Sequence, residues 1–373
     1  MRALAIGSAM IDTIVLVASR NIERMTMAND AVSYLLLEQG RKVEAESIAE
    51  HVGGGAVNAA VAMARLGAET AAVLKVGTDL KAEKILTRLR EEGVAADFVA
   101  RTDADETGAA VMIASHDRNA TIFTRRGANT RLADTDVAAD RFAGRDLVYI
   151  TALSNESADR FPDIVRRAGE AGAFVAANPG IRQLTARAEP FLERLCDLSL
   201  LAVNRVEAEA LVPALSVRRV SHAPALLPDA DEGDDGSEPP PLMRQGLSFG
   251  GFDMELASFC AAVRAFGCAR LVVSDGTNGA YLADAEGIYH VAAADAVEVR
   301  GTAGAGDAFT STCATLLADG ADPARALRAA ALNAAGVVGH IDTQSGLSTR
   351  AALDARLAAA PETPRVRFWR WTT

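Results

Sequence analysis

Val299-Arg-Gly-Thr-Ala-Gly-Ala-Gly-Asp-Ala-Phe309 runs straight into an Ala-rich, helix-compatible segment at 310–318. Small residues at Gly304, Ala305 and Gly306 let the backbone turn tightly and present bare N–H groups, and a helix opening there adds the positive end of its dipole. Such a turn cradles an anion. Asp307 stands where the cradle would hold a phosphate. It reads two ways, as a carboxylate working beside that anion or as a plain N-cap, a position Asp favours.

Outward from this turn, short β-rich runs alternate with helical patterns, as at 146–151, 157–171, 173–178 and 184–195. That rhythm predicts βαβ units and a mostly parallel central sheet covered by helices on both faces. The stretches 34–50 and 107–124 are β-rich without intervening helices, which predicts a small accessory sheet, a lid. Residues 1–373 therefore read as a single domain, with lid segments at 14–51 and 96–126. The apolar opening reads as a buried first strand rather than a signal peptide, because Asp12 splits it and no convincing cleavage site follows. At 216–251 prolines surround an acidic cluster containing Asp229, Asp231, Glu232, Asp234 and Asp235, which reads as a solvated insertion without packed elements. The tail Arg-Val-Arg-Phe-Trp-Arg-Trp at 365–371 reads as an edge strand or docking segment.

A net charge of −11 argues against a general nucleic-acid binder, whose affinity comes from neutralising phosphates with Lys and Arg. No apolar run is long enough to span a membrane. Four scattered cysteines, Cys196, Cys260, Cys268 and Cys313, suggest neither a disulfide framework nor a structural metal site and fit a cytoplasmic location. Gly246-Leu-Ser-Phe-Gly250 matches a hydrolase nucleophile elbow by letter but lacks the strand before it and the helix after it.

A second glycine turn, His51-Val-Gly-Gly-Gly-Ala-Val-Asn58, opens a helical run that stops at Gly67. Glycines there let a ligand press against the backbone, and Asn58 both donates and accepts hydrogen bonds, as a polyol requires. A loop closing onto a helix is the plainer reading of the same residues.

Together and in this order, the two turns resemble the paired signatures of the ribokinase-like, or PfkB, carbohydrate kinase family. The resemblance rests on Gly53, Gly54, Asn58, Leu66 and Gly67, then Gly304 to Asp307, and smaller similarities follow in family order. These are Gly7 to Asp12, Val76 to Asp79, Gly127-Ala-Asn129, Asn178-Pro179, Asn204 to Glu207, Ser274 to Gly279, and Asn333. The resemblance implies a ribokinase-like three-layer α/β/α sandwich with a small β-sheet lid, and a kinase that moves the γ-phosphoryl of ATP to a hydroxyl of a small sugar or sugar acid. Asp307 would be the base, and the amides of Gly304, Ala305 and Gly306 would hold developing charge. Asp12, Gly53, Gly54 and Asn58 would bind the acceptor. Ser274, Gly276, Gly279 and Asn333 would serve the nucleotide, and Asn204 and Glu207 the Mg²⁺ ion. A homodimer through the lid is a further implication, with Tyr34 to Leu37 as its candidate contact.

Two positions depart from the family pattern. Gly301-Thr302 stands where many relatives have Asp-Thr, which withdraws support for a monovalent cation. Gly55 stands where several relatives carry a charged residue, so positive charge for an anionic acceptor would have to come from Arg125 or Arg126. A nucleoside kinase on the same scaffold is the alternative, requiring an apolar or aromatic platform near the lid. A non-catalytic sugar-binding or regulatory protein is the third reading, and Asp307 beside an intact cradle opposes it.

Overall fold

The computed structural model describes residues 1–18, 23–26, 33–36, 39–40, 42–114, 120–217, 224–228 and 238–372. Its main sheet runs, edge to edge, Leu226–Pro228, Val366–Trp371, Gly287–Val291, Ala280–Ala283, Leu271–Ser274, Leu200–Asn204, Phe174–Ala177, Leu147–Ile150, Arg2–Gly7, Glu69–Val76, Val99–Arg101. From Leu271–Ser274 to Val99–Arg101 every pairing is parallel, and the other edge is antiparallel.

The first strand shows how sequence makes layers. Successive side chains point to opposite faces, so Ala3 and Ala5 join one core cluster while Leu4 and Ile6 join the other. The first cluster receives the helices Gly55–Arg65, Leu80–Glu91, Ala305–Ala318 and Pro323–Val338, and the second receives Phe161–Glu170, Arg205–Ser216 and Leu256–Ala265. Alanines on the first face let the Ala-rich helices approach closely. Each fully buried Leu or Ile on the second contributes roughly 1.5–3 kcal/mol.

A separate four-stranded sheet has the order Ala45–Gly53, Met10–Val17, Gly108–Ala114, Ala120–Arg125. It differs from expectation at its start. The apolar opening is two strands rather than one, Arg2–Gly7 in the main sheet and Met10–Val17 in the small one, so Asp12 belongs to the small sheet. The break falls at Gly7-Ser-Ala, where Gly7 has φ 149° and Ala9 is clamped by Asn129. Val99–Arg101 pairs with the main sheet, although the reading of 96–126 put it in the lid.

Two further expectations are corrected. Within 216–251 the chain builds the strand Leu226–Pro228, the short helix Pro241–Gln245 and the strand Leu247–Phe249, which pairs with Phe252–Met254. Leu242 and Leu247 are buried in the second core, so two leucines anchor a stretch whose composition reads as solvated. The acidic cluster from Asp229 to Asp235 lies outside the described residues, as does Leu37 of the candidate contact. The terminal strand Val366–Trp371 is not an edge strand. It pairs on both sides, with Gly287–Val291 and Leu226–Pro228.

Candidate active site

Asp307 lies in the first turn of the helix Ala305–Ala318, whose N-cap, Gly304, has φ 78° and supplies no capping side chain. A Cβ on Gly304 would come within 2.6 Å of the Thr343 Cβ, so both conformation and space demand glycine. Among the described residues the amides of Gly306 and Asp307 have no acceptor. Uncapped amides at a helix N-terminus are the donors an anion needs.

The carboxylate of Asp307 is held from the other glycine turn. Asn58 Nδ2 donates to Asp307 Oδ2 at 2.8 Å. Asn58 Oδ1 in turn accepts from Thr343 Oγ1 at 2.8 Å and Gln344 Nε2 at 3.0 Å. Gln344 is fixed by donating to the Val52 carbonyl and accepting from Arg88 Nε, both at 2.9 Å. Arg88 and Arg65 converge on Glu92 at 2.7 Å each. This chain of contacts locks the amide of Asn58 with its donor end towards Asp307. Burial pushes the Asp307 carboxyl above the usual carboxylate range, and the bond from Asn58 offsets part of that rise. A carboxylate that resists ionisation yet accepts an oriented hydrogen bond is suited to taking a proton.

Asp12 approaches from the small sheet. It lies opposite His51 in the register, and a Cβ on Gly53 would fall 2.1 Å from Asp12 Oδ2, so only glycine leaves the carboxylate room. Burial first and the Asp307 charge second raise its pKa to about 6, and His51 opposes the rise. The same Cβ on Gly53 would lie 3.7 Å from Thr343 Oγ1, which donates to Asn58, so Asp12 shares a cleft with the Asn58–Asp307 pair. Beside it, Thr151 packs under the second glycine turn, 3.2 Å from a Cβ built on Gly55.

Asn204 and Ser274 end adjacent parallel strands in register, at the C-terminal sheet edge where open α/β folds bind ligands. Asn204 and Glu207 form a capping box on the helix Arg205–Ser216: Asn204 Oδ1 accepts from the Glu207 amide and Glu207 Oε2 accepts from the Asn204 amide, each at 2.9 Å. Burial, with Asp307 nearby, raises the Glu207 pKa to about 7 despite the Asn204 bond. Negative charge accumulates here with no cationic partner among the described residues, the setting a divalent cation relieves. The cap uses one oxygen of each residue, so Glu207 Oε1 and the second lone pair of Asn204 Oδ1 stay open to a ligand.

The nucleotide-side residues are more dispersed. Gly276 opens a short turn with φ 56° and open space around its α-carbon, whereas Gly279, φ 92°, lies against the Val291 carbonyl. Asn333 is fully buried. It donates to Thr312 Oγ1 and accepts from the Ser348 amide at 2.8 Å each, so its amide joins two helices and a loop. Sequence reasoning missed Thr343, Gln344 and the Arg88–Glu92–Arg65 cluster. No local motif marks them, since Thr343 and Gln344 meet Asn58 across 285 and 286 residues.

The pfkB family carbohydrate kinase model matches residues 3–230 and 251–350. The gap between the two matched spans falls within the proline-bounded stretch. Ribokinase of Bacillus subtilis is 27% identical over 303 residues, covering 80% of this chain and 85% of that protein. A bifunctional ribokinase/ribose-5-phosphate isomerase A of Fructilactobacillus sanfranciscensis is 27% identical over 142 residues, 38% of this chain and 24% of that longer protein. Among solved structures, Arabidopsis thaliana ribokinase complexed with ribose and ATP superposes with TM-score 0.69 at 19% identity, covering 95% and 98% of the two chains. A Burkholderia thailandensis nucleoside kinase in complex with inosine gives TM-score 0.69 at 18% identity, covering 96% and 98%. The expected fold is the observed one: an α/β sandwich with a smaller separate sheet. With the family model matched along most of its length, the chain belongs to the pfkB family of carbohydrate kinases and is an ATP-dependent carbohydrate kinase.

Proposed function

We propose that this kinase phosphorylates a hydroxyl of a small sugar or sugar acid, with Asp307 as the catalytic base. The observation that carries the reading is the 2.8 Å bond from Asn58 Nδ2 to Asp307 Oδ2 beside an uncapped helix N-terminus. Asn58 aims the carboxylate, and the acceptor hydroxyl gives its proton to Asp307 as its oxygen bonds to the γ-phosphorus. The bond from that phosphorus to the β,γ-bridging oxygen breaks, and ADP leaves. The amides of Gly304, Ala305 and Gly306 stabilise the charge on the transferred group with little reorganisation, because the glycine turn and the helix hold them and Ala305 gives up only a 3.4 Å bond to the Thr302 carbonyl. Asp12, Asn58 and the Gly53-Gly54 backbone bind the acceptor. Ser274, Gly276 and Gly279 border the nucleotide, and Asn333 shapes that side from within the core.

Mg²⁺, when bound, neutralises phosphate charge and aligns the phosphates for displacement. Glu207 would hold it through bound water, since magnesium keeps much of its hydration shell, and Asn204 would keep Glu207 in place. The small sheet acts as a lid that excludes water from the acceptor. Ile48, Val111 and Phe123 are exposed on the face of that sheet turned away from Asp12, which supports a homodimer through the lid. Three buried free cysteines and one exposed support a reducing cytoplasm, and no described helix is long and apolar enough to cross a membrane.

A nucleoside acceptor is favoured by one observation. On the Asp12 face of the small sheet, Ile14, Ala110, Met112 and Ile122 lie in register, an apolar platform for a base. ADP release measured against sugars, sugar acids and nucleosides decides between the two, with Asp307→Asn as control. Turnover on a sugar or sugar acid that is lost in the variant is the expected result. Turnover confined to nucleosides would establish the alternative, and none above the variant would leave a binding protein.

A further inference from the structure

Arg126 joins the last strand of the small sheet, Ala120–Arg125, to the turn Gly127–Thr130. Its carbonyl accepts from Asn129 Nδ2 at 2.9 Å, and Asn129 clamps both the amide and the carbonyl of Ala9 at 2.9 Å. Arg126 is thereby pinned to the root of the strand that carries Asp12. Its half-buried guanidinium donates from Nη1 to Ser154 Oγ at 2.8 Å. Ser154 is buried in the loop after Leu147–Ile150, the same loop whose Thr151 packs under Gly55. Arg182 follows Phe174–Ala177, the next strand of the sheet, and is exposed.

Among the described residues no carboxylate pairs with Arg126 or Arg182. Their neighbours are matched: Arg125 with Asp105 and Glu106, Arg187 with Asp159. Burial and then the Arg182 charge hold the Arg126 pKa below its ordinary value, and no nearby acid opposes them. Gln183 Oε1 accepts from the Leu153 amide at 3.4 Å, which sets the neighbouring Arg182 against the loop that carries Ser154, so both cations border that loop and a partly desolvated Arg126 gains from a counter-ion. A guanidinium fork matches a carboxylate or phosphate in geometry as well as charge.

We propose that Arg126, aided by Ser154 and Arg182, receives an anionic group carried by the acceptor, so that the substrate is an anionic polyol, a sugar acid or a sugar phosphate, rather than a neutral sugar. This rests on the kinase reading above and assigns to Arg126 the charge that Gly55 does not supply. The test compares D-gluconate, D-galactonate and fructose 6-phosphate with D-glucose, D-galactose and D-fructose, for wild type, Arg126→Gln, Arg126→Lys and Arg182→Gln. Expected is turnover on an anionic acceptor at least roughly tenfold above its neutral counterpart, with KM raised roughly 10–100-fold in Arg126→Gln and kcat nearly unchanged. Arg126→Lys should restore part of the affinity, Arg182→Gln should show a smaller loss, and the KM for ATP should not move. An aldonate preference identifies the anion as carboxylate, a fructose 6-phosphate preference as phosphate.

Preference for neutral sugars with an unchanged KM in Arg126→Gln would overturn the anion site and leave the kinase reading standing. Calorimetric titration of the same anions into Asp307→Asn separates the opposite failure. Arg126-dependent binding without turnover by wild type would keep the site and remove the kinase, and neither binding nor turnover would remove both.

Discussion

The two ends of the cleft are built differently. At the acceptor end Asn58, Asp307, Thr343 and Gln344 come from segments up to 286 residues apart, and each polar atom of the Asn58 amide oxygen and donor pair is spent on another segment. At the glycine turn on the nucleotide side the hydrogen bonds are short-range: Asp275 accepts from Asn278 three residues on, the Asn278 carbonyl meets His290 twelve residues on, and Gly276 turns through open space. A cross-linked network ties chemistry to stability, because losing one member strands its buried partners. A local turn can change its ligand contacts without disturbing the core.

The largest expected effect is on chemistry alone. Asp307→Asn keeps an acceptor for Asn58 Nδ2 but removes the base, and kcat should fall roughly 10²–10⁴-fold with the thermal midpoint nearly unchanged. A fall of similar size on mutating the nucleotide turn would erase the contrast. Asn58→Ala comes next and should affect both properties. It leaves Asp307, Thr343 and Gln344 without their shared partner, costing about 2–3 kcal/mol in denaturant unfolding together with most of the activity.

Glu207→Gln should separate the two properties. The Glu207 pKa is raised from 4.5 to about 7, so the folded protein binds that proton more tightly than the unfolded chain does. The associated stability is fully present below 4.5 and is lost as pH rises through 7. Glutamine can keep the cap without the charge, so the variant should melt a few degrees above wild type at pH 8, converge with it near pH 5, and lose its response to Mg²⁺. Equal melting at both pH values would show that the carboxylate is not strained in the fold. The smallest effect belongs to Gly276→Ala. Its positive φ costs an alanine about 1–2 kcal/mol, but the space around it is open, so the loss should appear in the KM for ATP and not for the acceptor.

The same contrast separates what was legible in the sequence from what was not. Gly304 to Asp307 and Gly53 to Asn58 can be read because glycine has few uses other than tight turns and close approach, and the alternating β and helical patterns led to the parallel sheet. Asp12 was singled out but placed at the end of the first strand, because a hydropathy pattern does not show the chain changing sheets between Gly7 and Met10. Residues 216–251 read as solvated because proline and acidic composition outweigh Leu242 and Leu247, whose burial depends on a distant core. Asn204 was read as a metal-side group, and its reciprocal cap with Glu207 is a local pattern the spacing allowed but did not demand. Arg126 stood out only as spare charge. That no carboxylate pairs with it among the described residues is a property of three-dimensional neighbours.

The most direct measurement is a crystal structure with a turned-over acceptor and a non-hydrolysable ATP analogue bound together. The phosphorylated hydroxyl is expected roughly 2.6–3.2 Å from a carboxylate oxygen of Asp307, with the γ-phosphoryl group on the amides of Gly304 to Gly306. An Asp307 carboxyl turned away from that hydroxyl, with another group within reach of its proton, would contradict this.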